Sequence, residues 1–115
     1  MRRGEIWEVD LPPPPGGIGR EQSGTRPALI LQATSEPDNP MCVIAPFTSN
    51  PRATRFPYTH LVPPSRSNGL TEESVIMVFQ LRALDKKRLL HRLGIMTDST
   101  MASVEASLRK LLGFA

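Results

Sequence analysis

A mainly β chain, curled into an antiparallel sheet or small barrel and finished by one amphipathic helix, is the fold class the sequence predicts. Three observations carry this expectation. Five or six short apolar runs are separated by loops rich in proline and glycine. The hydrophobic period lengthens from strand-like to helical only near residue 98. The βαβ alternation of a doubly wound nucleotide fold is missing, and Gly16-Gly17-Ile18-Gly19 lacks both the Walker lysine pattern and a strand–loop–helix setting.

The elements follow in order. Glu5-Ile6-Trp7-Glu8-Val9-Asp10-Leu11 alternates polar with apolar, as a half-buried strand does. Four prolines at 12–15 end it, because proline brings no N–H donor to a sheet interior. Residues 12–26 form a long loop, whose Pro12-to-Gly19 segment is expected to wall a ligand groove beside Glu21 and Arg26. Pro27 opens the next strand, with its core at 28–32, and a polar turn at 35–40 leads to a third at 41–47. Ala33 and Thr34 belong to either strand or turn. Residues 48–57 make a second polar loop, and 57–63, alternating at Tyr58, His60 and Val62 between prolines, reads as an edge strand. Strands are expected at 74–81 and 89–96, joined by a turn or short helical piece at 83–88. Met101, Val104, Leu108, Leu111 and Leu112 then line one side of a helix. Asp98 or Ser99 is its expected cap, Gly113 its stop, and Glu105 with Arg109 a surface pair.

Composition bounds the class. One domain is expected over residues 1–115, with 39% apolar residues and with twelve prolines and eight glycines gathered between the apolar runs. Cys42 is the sole cysteine, which rules out an internal disulfide, and its apolar neighbours mark it as a buried small hydrophobe. No apolar stretch reaches membrane-spanning length and no signal-peptide core follows the polar start, so a cytoplasmic protein without a membrane partner is expected. The net charge of +3 is unevenly spread: residues 1–50 carry −2 and residues 51–115 carry +5. Eleven of the fourteen basic residues are arginine, which suits bidentate phosphate contacts, although a solvated surface gives the same pattern.

The most informative segment is Arg20-Glu21-Gln22-Ser23-Gly24-Thr25-Arg26-Pro27, which runs into Ala28-Leu29-Ile30-Leu31. It sets one carboxylate and two guanidiniums on a glycine-containing loop directly before a buried strand. An anion is the expected ligand, with a phosphodiester as its form. Pro27 keeps Arg26 out of a helical backbone conformation.

These residues resemble the MazF/PemK-like toxins of type II toxin–antitoxin systems over nearly the whole chain. Residues 3–10 are similar to the family's opening strand and 22–31 to its most recognisable block. Ile44-Ala45-Pro46-Phe47-Thr48-Ser49 is similar to the third strand and its exit. Gly69-Leu70, residues 74–78, residues 80–86 and Leu93-Gly94 complete the order. The resemblance implies an SH3-like small barrel of five to seven strands with a C-terminal helix, and a homodimer. It also implies a metal-independent endoribonuclease without cofactor, cutting single-stranded RNA, messenger RNA first among the targets. A cognate antitoxin would inhibit it through a disordered acidic segment in the RNA groove.

Metal-free RNA cleavage is simplest when the substrate's 2′-hydroxyl attacks the adjacent phosphate, leaving a 2′,3′-cyclic phosphate and a 5′-hydroxyl. The resemblance makes Arg26 and Thr48 catalytic: a guanidinium on two nonbridging oxygens, and a hydroxyl donor that the family favours over the neighbouring Ser49. Glu21 is the third catalytic candidate, as base or as a brace for Arg26 or Arg20. An indirect, water- or substrate-assisted route stays open beside it, since guanidinium remains protonated in ordinary surroundings. Arg20, Gln22, Ser49, Arg52, Arg55, Phe79, Gln80 and Arg82 are the expected RNA contacts. Gln80 and Arg82, two apart, would share one face of a regular strand. Phe79 stands where the family often has an aspartate before the glutamine, and either stacks on a base or packs a subunit seam. His60 and His91 lie in no ligand cluster and are expected to serve the scaffold or surface. Two other functions compete: a noncatalytic toxin that binds a protein such as DNA gyrase, and a module that binds RNA without cutting it.

Overall fold

The computed structural model describes residues 1–17, 19, 21–32 and 38–114. Among the described residues seven strands and one helix follow in order: β1 (Glu5–Leu11), β2 (Gly24–Ile30), β3 (Met41–Thr48), β4 (Thr59–Val62), β5 (Ser74–Met77), β6 (Arg82–Asp85), β7 (Leu89–Ile95) and α1 (Asp98–Leu112). Short 3-10 turns at Pro15–Gly17, Pro51–Arg55, Val78–Gln80 and Lys86–Arg88 punctuate them. No helix among the described residues is long and apolar enough to cross a membrane.

The strands pair antiparallel in the order β4-β5-β3-β2-β1-β7, and β6 pairs with β3 off this path. β3 is divided between partners: residues 41–44 face β6, while Phe47 and Thr48 face β5. The mainly β class with a terminal helix is as the sequence predicts, but the SH3-like barrel is not: the sheet stays open. Among the described residues no ladder joins β4 or β6 to β7. The cause is local. Pro63 and Pro64 follow β4 and supply no N–H with which to extend it. The turn at 65–69 then lies against β7, where Ile95 N donates to Ser67 O at 2.9 Å. Gly94 permits that approach, since a β-carbon there would stand 2.3 Å from Ser67 O. β6 passes to β7 through the Lys86–Arg88 turn, braced by Lys87 N donating to Asp85 Oδ1 at 2.9 Å, and no ladder links the two strands.

Several elements differ from expectation: β6 forms a strand at Arg82–Asp85, overlapping the stretch expected to be a turn or short helical piece, and the first two shifts below bear on the site. β2 begins at Gly24, ahead of Pro27, so Arg26 sits on the strand itself, opposite Val9. The strand expected at 74–81 breaks at Val78–Gln80, so Gln80 and Arg82 do not share one regular strand face. The helix cap is Thr97, whose Oγ1 accepts from Thr100 N at 3.3 Å, one residue before Asp98.

The unbroken apolar run at 28–31 is explained by burial on both sheet faces. Leu29 and Leu31 join Ile6, Ala45, Phe47 and Ile76 in a core closed by Val104 of α1. Ala28 and Ile30 join Val9, Leu11, Cys42, Ile44 and Leu84 on the other face. Each fully buried aliphatic side chain contributes about 1.5–3 kcal/mol, so the strands that carry Arg26 and Thr48 are the most firmly held. Burial also pushes the Cys42 thiol above its ordinary range, as expected of an inert core cysteine.

Gly113 ends α1 in the left-handed region at φ 78°, and its N–H reaches the carbonyls of Arg109 and Lys110. Glu105 and Arg109 pair at 2.9 Å but are both exposed and contribute little. Loss of the cap provides a test: Thr97→Ala lowers unfolding free energy by about 1 kcal/mol in urea titration, whereas Ser99→Ala stays within about 0.5 kcal/mol.

Candidate functional site

Arg26 is the centre of the site. β2 holds its backbone extended, and its half-buried guanidinium is fixed by three neutral acceptors. Nε donates to Ser23 O at 3.1 Å, and Nη1 donates to Phe47 O at 3.3 Å and to Gln22 Oε1. Among the described residues no carboxylate lies within ion-pair distance of it. Burial pulls its pKa below the ordinary range. The cation is thus oriented and partly desolvated, and among the described residues it has no ion-pair partner within 4.0 Å.

Three concavities run on from this point. The first, a cavity of about 280 Å³, is lined by Arg26, Phe47, Thr48 and Ser49, with Glu8 and the 70–72 turn as further walls. The second, about 270 Å³, shares Thr48 with the first and holds Gln22, Arg52, Arg55, Phe56, Phe79 and Gln80. The third shares Phe79 and Gln80 with the second and is lined also by Arg82, Glu21 and the prolines at 13–15. Residues that are scattered in the sequence therefore lie along one track, with Thr48 at the first junction and Phe79–Gln80 at the second.

The hydroxyl of Thr48, at the end of β3, accepts from Asn50 N at 3.3 Å. Asn50 in turn caps the Pro51–Arg55 turn by accepting from Arg52 N at 3.0 Å, which fixes the backbone of that arginine loop. Gln80 Oε1 accepts from Gln22 N at 2.9 Å, and Gln22 Oε1 accepts from Arg26. A chain of hydrogen bonds therefore ties the turn after β5 to the guanidinium across 58 residues of sequence.

The structure thus brings Arg26, Thr48 and Ser49 into one cavity, and Gln22, Arg52, Arg55, Phe79 and Gln80 into the next. Glu21 and Arg82 share the third groove, away from the Arg26 cavity. Arg20 lies outside the described residues. Glu8 and Phe56 were missed. The polar alternation of β1 marks Glu8 as facing away from a core, but its nearness to Arg26 depends on the Glu8–Pro27 register, which no local pattern encodes. Phe56 precedes a proline in a polar loop and is 38% exposed, a weak signal in isolation.

Neither histidine lines these concavities. His60, on β4, contacts Ser107 Oγ of α1 at 2.8 Å through Nε2, and burial holds its pKa below 6.5. His91 is exposed on β7. Among the described residues no three His, Cys, Asp or Glu side chains gather as a metal site.

Residues 2–112 match the family model described as PemK-like, MazF-like toxin of type II toxin-antitoxin system. The chain belongs to this family. Among MazF relatives, an endoribonuclease MazF of Staphylococcus epidermidis is 35% identical over 114 residues, spanning 98% of this chain and 92% of its own. MazF from Deinococcus radiodurans (Form-I) superposes with a TM-score of 0.81 at 25% identity, covering 99% of this chain and 97% of its own. A MazE-MazF structure (Form-II) from the same organism gives 0.77 at 25% identity, covering 100% and 97%.

Burial of His60 makes stability depend on pH. Because burial lowers the pKa of His60, the unfolded chain binds its proton more readily below pH 6.5. Unfolding free energy, measured by urea titration, therefore falls as pH drops through and below 6.5, and His60→Gln removes that part of the slope.

Proposed function

We propose that this toxin is a metal-independent endoribonuclease that cuts single-stranded RNA sequence-selectively, acting in the cytoplasm under the control of a cognate antitoxin. The observation that carries this reading is that Arg26, its guanidinium held by neutral oxygens, and Thr48 line one cavity. A desolvated guanidinium held by neutral oxygens attracts a group whose negative charge grows, as a phosphodiester's does when it becomes five-coordinate. Membership of the MazF-like family and the relative named an endoribonuclease support the same reaction class.

In the proposed step the 2′-hydroxyl oxygen bonds to the adjacent phosphorus and gives up its proton. The bond from phosphorus to the 5′-oxygen breaks, and that oxygen takes a proton from water. The products are a 2′,3′-cyclic phosphate and a 5′-hydroxyl. Arg26 binds nonbridging oxygens. The Thr48 oxygen already accepts from Asn50 N, which leaves its hydroxyl proton for a third phosphate contact. Glu21 lines the third groove, whereas Arg26 and Thr48 line the first, so the indirect route through water or the substrate is preferred for removal of the 2′-proton. Glu21 then serves the RNA track.

Along that track Ser49 flanks the scissile phosphate, Arg52 and Arg55 attract the backbone, and Gln22, Gln80 and Arg82 contact the strand beyond it. We assign messenger RNA as the principal substrate, and an acidic, disordered antitoxin segment as the competitor for the same basic track. The working unit is a homodimer of one MazF/PemK-like domain, residues 1–115, which lengthens the groove.

Purified protein cleaves an unstructured RNA in EDTA and yields cyclic-phosphate ends. Under single-turnover conditions Arg26→Ala slows cleavage by roughly 100- to 1000-fold while leaving the unfolding midpoint nearly unchanged. Thr48→Ala slows the same step, and Glu21→Gln retains the wild-type pH profile. RNA binding without cleavage across varied sequences contradicts the enzyme assignment.

A further inference from the structure

Strand β1 carries three carboxylates, and ion pairs engage two of them. Glu5 accepts from Arg2 N at 3.1 Å and from Trp7 Nε1 at 3.0 Å, and pairs with Arg92 at 3.3 Å. Asp10 pairs with Arg88 at 3.4 Å. Glu8, between them, has no ion-pair partner within 4.0 Å among the described residues. It is half-buried, and it lines the same cavity as Arg26 and Thr48. For a groove that only holds RNA this placement is a loss, because a carboxylate repels the phosphate that Arg26 attracts.

We infer that Glu8 is the proton acceptor of the cleavage step, reached from the 2′-hydroxyl through one water. The inference rests on the ribonuclease reading above and supplies the end of its water route. A second carboxylate, Glu72, lines the same cavity, but it is exposed on the turn that precedes β5. Glu8 instead stands on a strand paired on both sides, opposite Pro27 of β2 and His91 of β7. Its backbone is therefore held by the same sheet that holds Arg26. In a cavity of about 280 Å³ a water, about 30 Å³ in the liquid, fits beside a phosphate. Thr25 and Thr71 line that cavity and offer the water hydroxyl partners.

As the 2′-oxygen bonds to phosphorus, its proton passes to the water, which gives one of its own to a Glu8 carboxylate oxygen. The 5′-oxygen takes its proton from water, and the hydroxide left behind takes the proton from Glu8. The carboxylate is restored, and protons balance over the cycle. The charged and titratable groups around Glu8 are Arg26 of β2, Glu72 of the turn before β5 and the exposed His91 of β7, with Glu5 and Asp10 on its own strand.

The test uses the purified full chain and one RNA chosen from the cleaved members of a randomised single-stranded pool. The same RNA with a 2′-deoxy sugar at the cleaved linkage reports binding alone. Glu8→Gln slows single-turnover cleavage roughly 100- to 10,000-fold, yet binds the 2′-deoxy RNA at least as tightly as wild type does. Wild-type cleavage climbs with pH at the acid end and then levels off. Glu8→Gln loses that limb, and His91→Gln leaves it in place. Glu8→Asp, which draws the carboxylate back by one methylene, keeps the limb at a lower rate. Wild-type cleavage by Glu8→Gln with the acid limb intact overturns the assignment and leaves the nuclease standing. If Glu8→Gln does not fold, Glu8→Asp at the full wild-type rate overturns it equally. Affinity for the 2′-deoxy RNA lost in step with rate also overturns it, by making Glu8 a group that shapes the groove. Wild type that cuts no member of the pool overturns the nuclease reading itself, and the part of Glu8 with it.

Discussion

The arrangement around Arg26 depends on a charge that neutral groups hold in orientation. Ser23 O, Gln22 Oε1 and Phe47 O fix the guanidinium plane, and no carboxylate among the described residues pairs with it. A buried ion pair would satisfy the cation and also occupy it. Neutral acceptors hold its geometry while leaving its field to act on an incoming anion, and partial burial strengthens that field by excluding solvent. The cost is partial desolvation of the cation, which the surrounding scaffold must offset.

That scaffold is the three-strand centre of the sheet. β1, β2 and β3 bury apolar residues on both faces, so the backbone at Arg26 and at Phe47–Thr48 is held by two cores at once. Rigidity there lets short-range hydrogen bonds set the position of a long side chain. The openness of the sheet matters as well. β3 gives its first half to β6 and its end to β5, and the chain between those two strands turns at Val78–Gln80 instead of running straight. That turn places Phe79 and Gln80 at the meeting of two concavities. A continuous strand over the same residues would have sent them to opposite faces.

Much of this was legible in the chain. The alternation in β1, the apolar run after Pro27 and the helical period from residue 101 locate the elements because each signal is local. The Arg20-to-Pro27 block announces an anion site for the same reason: charge, glycine and a buried strand stand side by side in sequence. What escaped depends on distance. The open sheet follows from a turn at 65–69 lying against Gly94, a close approach between segments that no periodicity records. Glu8 enters the cavity through strand register, and the Gln80–Gln22–Arg26 chain spans the molecule. Val78-Phe79-Gln80 is as strand-like as its neighbours, so tertiary contacts alone decide its turn, among them Val78 N donating to Tyr58 O at 3.0 Å. Thr97 over Asp98 as the cap is an ordinary shift of one residue.

The most direct measurement is nitrogen NMR of the arginine side chains during titration with a 2′-deoxy-blocked RNA that binds without being cut. An Arg26 guanidinium waiting for a phosphodiester shifts its Nε and Nη resonances in step with binding, more than any other arginine, and saturates at the same RNA concentration. Arg26 resonances that stay in place while the RNA binds and other arginines respond would contradict the account at its centre.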